Sequence, residues 1–372
     1  MKTLILSANT GQGHNSCAKA IQETFVKHGD VCDVQDVFGL VSPKLSRTIA
    51  ANHEKTYRHT PGLNNAGYEF LERHPKFFSQ KQIVYRVMSI GRKQVAKCIE
   101  AGCYDTVICT HVLAAMCLTA AIQKNDVQVQ SAFVATDYSC TPGINGTKLD
   151  YYFIPHESLI DDFMYASVPE SQIIPTGIPV QSAFSPAFNK GSLKERFDIR
   201  TDHRHLLIMC GSMGCGPIPE MLRSISISMP DNWEVSVVCG TNQKLKNELD
   251  SEYQYNPRIH VRGYESQMPS LLGSADLYLT KPGGLSTSEA AACAVPMVFV
   301  DAVAGCEENN LRHFVKLGVA AAGNTATEAA DLCLKLMEEP EALAAMTQKL
   351  RSSKACYAAE DIWCTLHQVR TA

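Results

Sequence analysis

The chain lacks an excess of positive charge. Its 34 Lys and Arg against 38 Asp and Glu give a net charge of −4. No overall basic field offsets phosphate repulsion, which excludes nucleic acid as the main partner. The balance says little about a nucleotide sugar, because main-chain dipoles can hold a phosphate locally. Charge of either sign is scarce at 19% of residues, while 45% are hydrophobic; this excludes a disordered chain and leaves ample material for folded cores. The 15 cysteines are odd in number and no two stand at CxxC spacing, which argues against a zinc site or disulfide framework and fits a reducing cytosol. The opening MKTLILSANTGQGH has too short an apolar run for a signal peptide. A long apolar run without charge, Thr106 to Gln123, is near the lower limit for a membrane span and is interrupted by Thr110 and His111. It reads as a buried strand, a turn and an apolar helix start. There is no DxD triplet, so no acidic pair of that kind is present to hold a divalent cation, and no metal is expected.

What is present is alternation. Strand-like runs occur at Lys2–Ala8, Val31–Val37, Thr106–Cys109, Ser131–Ala135 and Tyr151–Ile154, with helical spacing in Ser16–His28. A second series follows at His205–Met209, Val235–Cys239, His260–Arg262, Leu277–Thr280 and Met297–Val300. Strands that alternate with helices predict an α/β fold with parallel sheets covered on both faces. Length alone suggests two or three domains. Pro175, Gly177, Pro179 and Pro186 mark Ile174–Asn189 as a linker. The expected units are 1–183 and 191–354, with a last helix, 355–372, that can cross back onto the first.

Two glycine clusters, CGSMGCG at Cys210–Gly216 and TKPGGLSTSEA at Thr280–Ala290, each follow a strand and precede a helix. Amides in such a turn, together with the partial positive charge of a helix start, suit a diphosphate. Gly283, Gly284, Ser286 and Thr287 are the candidate donors, with Gly214 opposite; Glu289 is placed to hold a ribose hydroxyl pair. With no acidic pair for a metal, such donors would stabilise a leaving phosphate in the manner of an oxyanion hole. A dinucleotide fingerprint is disfavoured, because Thr10–His14 lacks the third glycine.

In the first half, Gly13 and its neighbours turn the chain after the first strand and aim His14 towards the crevice beyond the strand ends. An imidazole there suits a general base near neutral pH; the alternative is a capping or buried histidine. Asp137 ends another strand and either orients His14, acts as base, or caps the next segment. His111 either lines an acceptor cleft or is a satisfied core histidine. Leu71–Glu100 carries seven basic residues against Glu72 and Glu100, interleaved with Phe77, Phe78 and Tyr85. Such a segment either rests on anionic lipid headgroups or is a solvated helix face.

The motifs TGQGH, THVLAA, ATDYS, PTGIPV, CGSMG, VCGTN, VRGYESQMPSLLGSADLYLTKPGGLSTSEA and GCEENN, in that order, resemble the monogalactosyldiacylglycerol synthase and processive diacylglycerol glucosyltransferase family over essentially the whole chain. The resemblance implies a GT-B architecture, two Rossmann-like domains facing across a cleft, and inverting transfer of a hexose from a UDP-sugar to the hydroxyl of diacylglycerol. It implies a peripheral place on an anionic membrane surface, at the inner face of the cell membrane. It makes His14 and Asp137 the base and its partner. Gly263, Tyr264 and Met268 fall in the uracil segment, Gly283, Gly284, Ser286 and Thr287 in the phosphate loop, Glu289 at the ribose, and Glu307 and Asn310 in a loop that handles the donor sugar. Residues 60–99, with Phe77, Phe78 and Arg86, match the lipid-uptake region, which favours the lipid reading of the basic segment. The family's GQE loop reads Gly305-Cys306-Glu307 here, and its GGGH loop carries Gln12 in place of a glycine. Other readings that the residues allow are a polyprenyl-linked or soluble acceptor, a UDP-N-acetylglucosamine 2-epimerase on the same fold, and a nucleotide-sugar sensor.

Overall fold

Runs such as Thr106–Cys109 and Trp233–Val238 are buried at every residue, the pattern of parallel strands covered on both faces. In the computed structural model they are central strands of two separate sheets. The structure describes residues 1–9, 12–49, 51, 90–124, 126–187, 189–302, 305–352 and 357–368. Phe77, Phe78, Arg86 and most of the basic segment lie outside them.

Two units emerge from Cα proximity. One comprises Met1–Ser182, Ala304–Cys306 and Ala355–Ala372, the other Ala183–Val303 and Glu307–Lys354. The first runs β1 (Lys2–Ser7), α1 (Gln12–Lys27), β2 (Val31–Asp36), α2 (Val37–Val41), α3 (Arg92–Gly102), β3 (Thr106–Cys109), α4 (Val112–Gln123), β4 (Gln130–Val134), β5 (Tyr151–Ile154), α5 (Ile160–Tyr165) and β6 (Ile173–Pro175). Its strands pair in the order β2-β1-β3-β4-β5-β6, all parallel. The order reverses between β1 and β3. The uncharged run resolves into β3 and α4, with Ala114–Ala121 buried; among the described residues no helix is long and apolar enough to cross a membrane. β6 occupies the start of the stretch expected to be linker.

The second unit continues with α6 (Lys190–Arg196), β7 (Arg204–Met209), α7 (Ile218–Ser228), β8 (Trp233–Val238), α8 (Gln243–Tyr253), β9 (Ile259–Arg262), α9 (Met268–Ser274), β10 (Leu277–Thr280), α10 (Gly284–Ala292), β11 (Met297–Phe299), α11 (Cys306–Lys316), β12 (Ala320–Ala322), α12 (Ala326–Glu338) and α13 (Pro340–Arg351). The sheet order β12-β11-β10-β7-β8-β9 is the doubly wound arrangement, reversing between β7 and β10. The last helix, α14 (Ala358–Gln368), packs on α1 in the first unit.

Candidate functional site

In the first unit the chemistry gathers where strand order reverses. β1 leads to α1, whose third residue is His14. Its Nδ1 lies 2.7 Å from the Thr110 carbonyl at the end of β3 and 3.2 Å from Thr136 Oγ1 after β4. A carbonyl only accepts, so Nδ1 carries the proton and Nε2 keeps its lone pair. Burial lowers the pKa of His14 below the usual 6.5, against the opposing effect of the Thr110 hydrogen bond. The imidazole is therefore neutral at pH 7. Polar side chains fix the chain around it: Ser7 donates to Asn15 at 2.7 Å, Asn15 to Asn9 at 2.8 Å, and Asn9 to Asp36 at 3.2 Å.

His111 is a capping residue: its Nδ1 accepts from the Leu113 amide at 3.1 Å and starts α4. Its ring also meets that of His14 edge-on, with centroids 4.7 Å apart. Asp137 is half-buried and directly follows Thr136. Gly13 is half-buried in the first turn of α1.

In the second unit the two glycine loops lie beside each other, after β7 and β10. Gly214 has φ +56, and a Cβ there would meet the Cys239 carbonyl oxygen at 2.0 Å. Gly240, also left-handed, would meet the Ser212 carbonyl oxygen at 2.1 Å. The two glycines let the loops after β7 and β8 touch, main chain to main chain. The amides of Gly214, Gly283 and Thr287 are already given to the carbonyls of Gly211, Lys281 and Gly283. The Ser286 and Thr287 hydroxyls bond to the Gly283 carbonyl at 3.1 and 2.9 Å. What remains is the first turn of α10: Gly284, Leu285 and Ser286 amides have no intrahelical acceptor, and no side chain caps them. The amides left open are thus fewer than the motif suggests, and include that of Leu285, whose apolar side chain gave no sign of it.

Glu289 sits on the same helix, half-buried. Burial pushes its carboxyl up to about 8, the cost of a carboxylate without a compensating donor. Asn310 is fully buried and its amide donates to the Pro282 carbonyl at 2.9 Å, so it holds the loop from behind. Glu307 is buried in the first turn of α11. Gly263, Tyr264 and Met268 follow β9, three strand spacings (about 14 Å) from β10; Tyr264 is 75% exposed. Two residues of the site were missed from sequence: Lys281, buried and ion-paired with Asp301 Oδ2 at 2.9 Å, and Asp301 itself, with φ +52. A lysine at the end of an apolar strand was a visible signal; nothing in the sequence pointed to Asp301. Among the described residues no three His, Cys, Asp or Glu side chains are placed to share a metal.

Residues 14–180 match the family model described as monogalactosyldiacylglycerol (MGDG) synthase, and residues 220–353 match glycosyl transferases group 1. The chain is 29% identical over 355 residues to a processive diacylglycerol beta-glucosyltransferase of Bacillus thuringiensis, covering 94% of this chain and 89% of the relative. Among solved structures it resembles Acinetobacter baumannii MurG, with a TM-score of 0.64 at 14% identity over 99% of this chain and 100% of that one. It also resembles Anabaena HepE in complex with UDP, with a TM-score of 0.60 at 12% identity and the same coverages. At such identities the structural likeness establishes the GT-B fold. With both halves matched to glycosyltransferase models and the relatives aligned almost end to end, the chain is a glycosyltransferase similar along its length to the monogalactosyldiacylglycerol synthases and processive diacylglycerol glucosyltransferases.

Proposed function

We propose that the protein is an inverting hexosyltransferase that moves a hexose from a UDP-sugar to the free hydroxyl of diacylglycerol. The observation that carries the chemistry is the commitment of His14 Nδ1 to the Thr110 carbonyl, which leaves Nε2 as a neutral proton acceptor. In this reading Nε2 takes the proton of the acceptor hydroxyl as its oxygen attacks the anomeric carbon from the face opposite UDP. Asp137 is the proposed partner of the base. The leaving diphosphate is received by the Gly284, Leu285 and Ser286 amides and the dipole of α10, equivalent to about half a positive charge. Glu289 accepts the ribose hydroxyls, which supply the donors its carboxyl lacks. The protein works as a peripheral protein on the inner face of the membrane, with the basic segment against anionic lipid; Lys93 and Lys97 of α3 belong to that segment, while Arg92 is paired with Asp126 at 3.0 Å.

The test offers the purified protein a panel of UDP-sugars with vesicles that contain diacylglycerol, and records product lipid and anomer. A β-linked hexosyl lipid from an α-linked donor is expected. Interconversion of the UDP-sugar with no lipid product would replace this reading with an epimerase.

A further inference from the structure

The donor half-site holds a diphosphate with three amides and a helix dipole, yet two carboxylates close to its loop, Asp301 and Glu307, oppose an anion. Lys281 is the cation in their midst. Its side chain is 8% exposed, and its ammonium lies 2.9 Å from Asp301 Oδ2. Burial works against its charge, but Asp301 and the Glu307 carboxylate together hold its pKa above the ordinary value. The pair stands where the strand order reverses: Lys281 directly follows β10, Asp301 lies two residues beyond β11, and a Cβ on Gly216 in the loop after β7 would be 3.6 Å from Asp301 Oδ2. One carboxylate thus lies beside the glycine loop and pairs with the lysine of the other loop.

The two partners differ in exposure. Asp301 is 50% exposed and has left-handed backbone at φ +52, a conformation that is strained for a residue other than glycine. A sealed ammonium paired with an open, strained carboxylate can exchange that carboxylate for another anion arriving from solvent, without being uncovered. Its desolvation is already met in the unliganded protein. Resting on the donor reading above, we infer that Lys281 is the counter-charge for the donor's diphosphate, and that Asp301 is an internal anion that occupies it until the donor arrives. A fixed charge in a water-poor site acts more strongly than one at the surface, and it acts again when the glycosidic bond breaks and negative charge grows on the departing phosphate.

The experiment measures binding of UDP and of uridine, which has base and ribose but no phosphate, to the full chain by calorimetry. Lys281→Met is expected to weaken UDP about tenfold or more and to leave uridine unchanged, with Lys281→Arg recovering most of the loss. Asp301→Asn keeps a residue that tolerates left-handed backbone and removes only the competing charge, so it is expected to tighten UDP several-fold. A purely structural ion pair gives the opposite sign: Asp301→Asn would weaken UDP and uridine alike, and that result overturns the inference. So does a Lys281→Met protein that binds UDP as wild type does. If Lys281→Met does not fold, the sign of the Asp301→Asn effect decides. Wild-type protein that binds neither ligand would bring down the donor reading itself, a failure distinct from these.

Discussion

His14 and Glu289 are both held neutral by their surroundings, and each neutrality has a use. The base proposed above must be unprotonated at working pH, and burial lowers the pKa of His14 in that direction. Replacing it with alanine removes the proton acceptor and no donor contact. Turnover is expected to fall by roughly 10²–10⁴-fold with UDP affinity intact; a variant that keeps full activity would remove the base. Because the pKa lies below 6.5, the wild-type rate should be flat through neutral pH and decline only in the acid range, as a pH–rate profile would record. Glu289 works the other way. Its carboxyl rises from 4.5 to about 8, so the unfolded chain gives up that proton from pH 4.5 upward while the folded chain keeps it to about pH 8. Stability is therefore lost as pH rises across that window. Glu289→Gln should raise the melting temperature at pH 8 and weaken UDP binding, the trade expected of a functional group held at a cost. Ribose hydroxyls that donate to the carboxylate lower its pKa again, so UDP binding at pH 7 should release a proton, detectable by calorimetry in buffers of different ionisation enthalpy.

The loops after β7 and β8 meet through Gly214 and Gly240, and the loop after β7 gives an internal comparison. Gly211 and Gly214 both have positive φ, at +73 and +56. A Cβ on Gly211 meets nothing within 4 Å, whereas one on Gly214 meets the Cys239 carbonyl oxygen at 2.0 Å. Gly211→Ala should cost about 1 kcal/mol, the penalty of left-handed backbone alone. Gly214→Ala must also part the loops, and a loss of about 3 kcal/mol is expected in denaturant titration, with weaker UDP binding. Equal costs would mean that the close approach contributes nothing. The contact was not legible in the sequence, where Gly214 read only as a candidate phosphate donor. Elements defined by their own composition were legible: Thr106–Cys109, Tyr151–Ile154 and Leu277–Thr280 are strands at the expected residues, because apolar, branched and aromatic side chains suit a doubly covered strand. The two strands not foreseen are β6 and β12, three residues each, at sheet edges. One ends in Pro175 and the other is three alanines; neither carries a pattern, and partners in the sheet decide them. His14 was legible from its glycine turn, but the groups that orient it, a backbone carbonyl and a threonine hydroxyl, come from β3 and β4 and have no local sign. His111 has a similar history: its capping role depends on where α4 begins.

At the scale of the whole molecule, one plan occurs twice, a parallel sheet whose order reverses once, with the proposed reactive groups at the reversal. What breaks the repeat is α14, drawn from the far end of the sequence into the first unit. Trp363 stacks on His28 at 3.9 Å and donates to Asp30 at 2.8 Å, while Glu360 receives Lys27 at 3.1 Å and His28 at 2.6 Å. Burial acts to raise the pKa of Asp30, but the N-terminal ammonium, Trp363 and His367 outweigh it and hold the carboxyl below 3.8. That contribution to stability is complete above the ordinary pKa and is lost as pH falls through the lowered one, so acid weakens the hold on this helix only below the ordinary carboxylate range. Trp363→Ala removes the stack and the indole donor together, and for a half-buried ring the expected loss is about 2 kcal/mol. The consequence is local. Hydrogen exchange should quicken in α1, β1 and β2, which α14 and Asp30 support, and stay unchanged in β7–β12. Uniform quickening across both sheets would mean that the last helix stabilises the chain as a single cooperative body and is no private brace of the unit that carries His14.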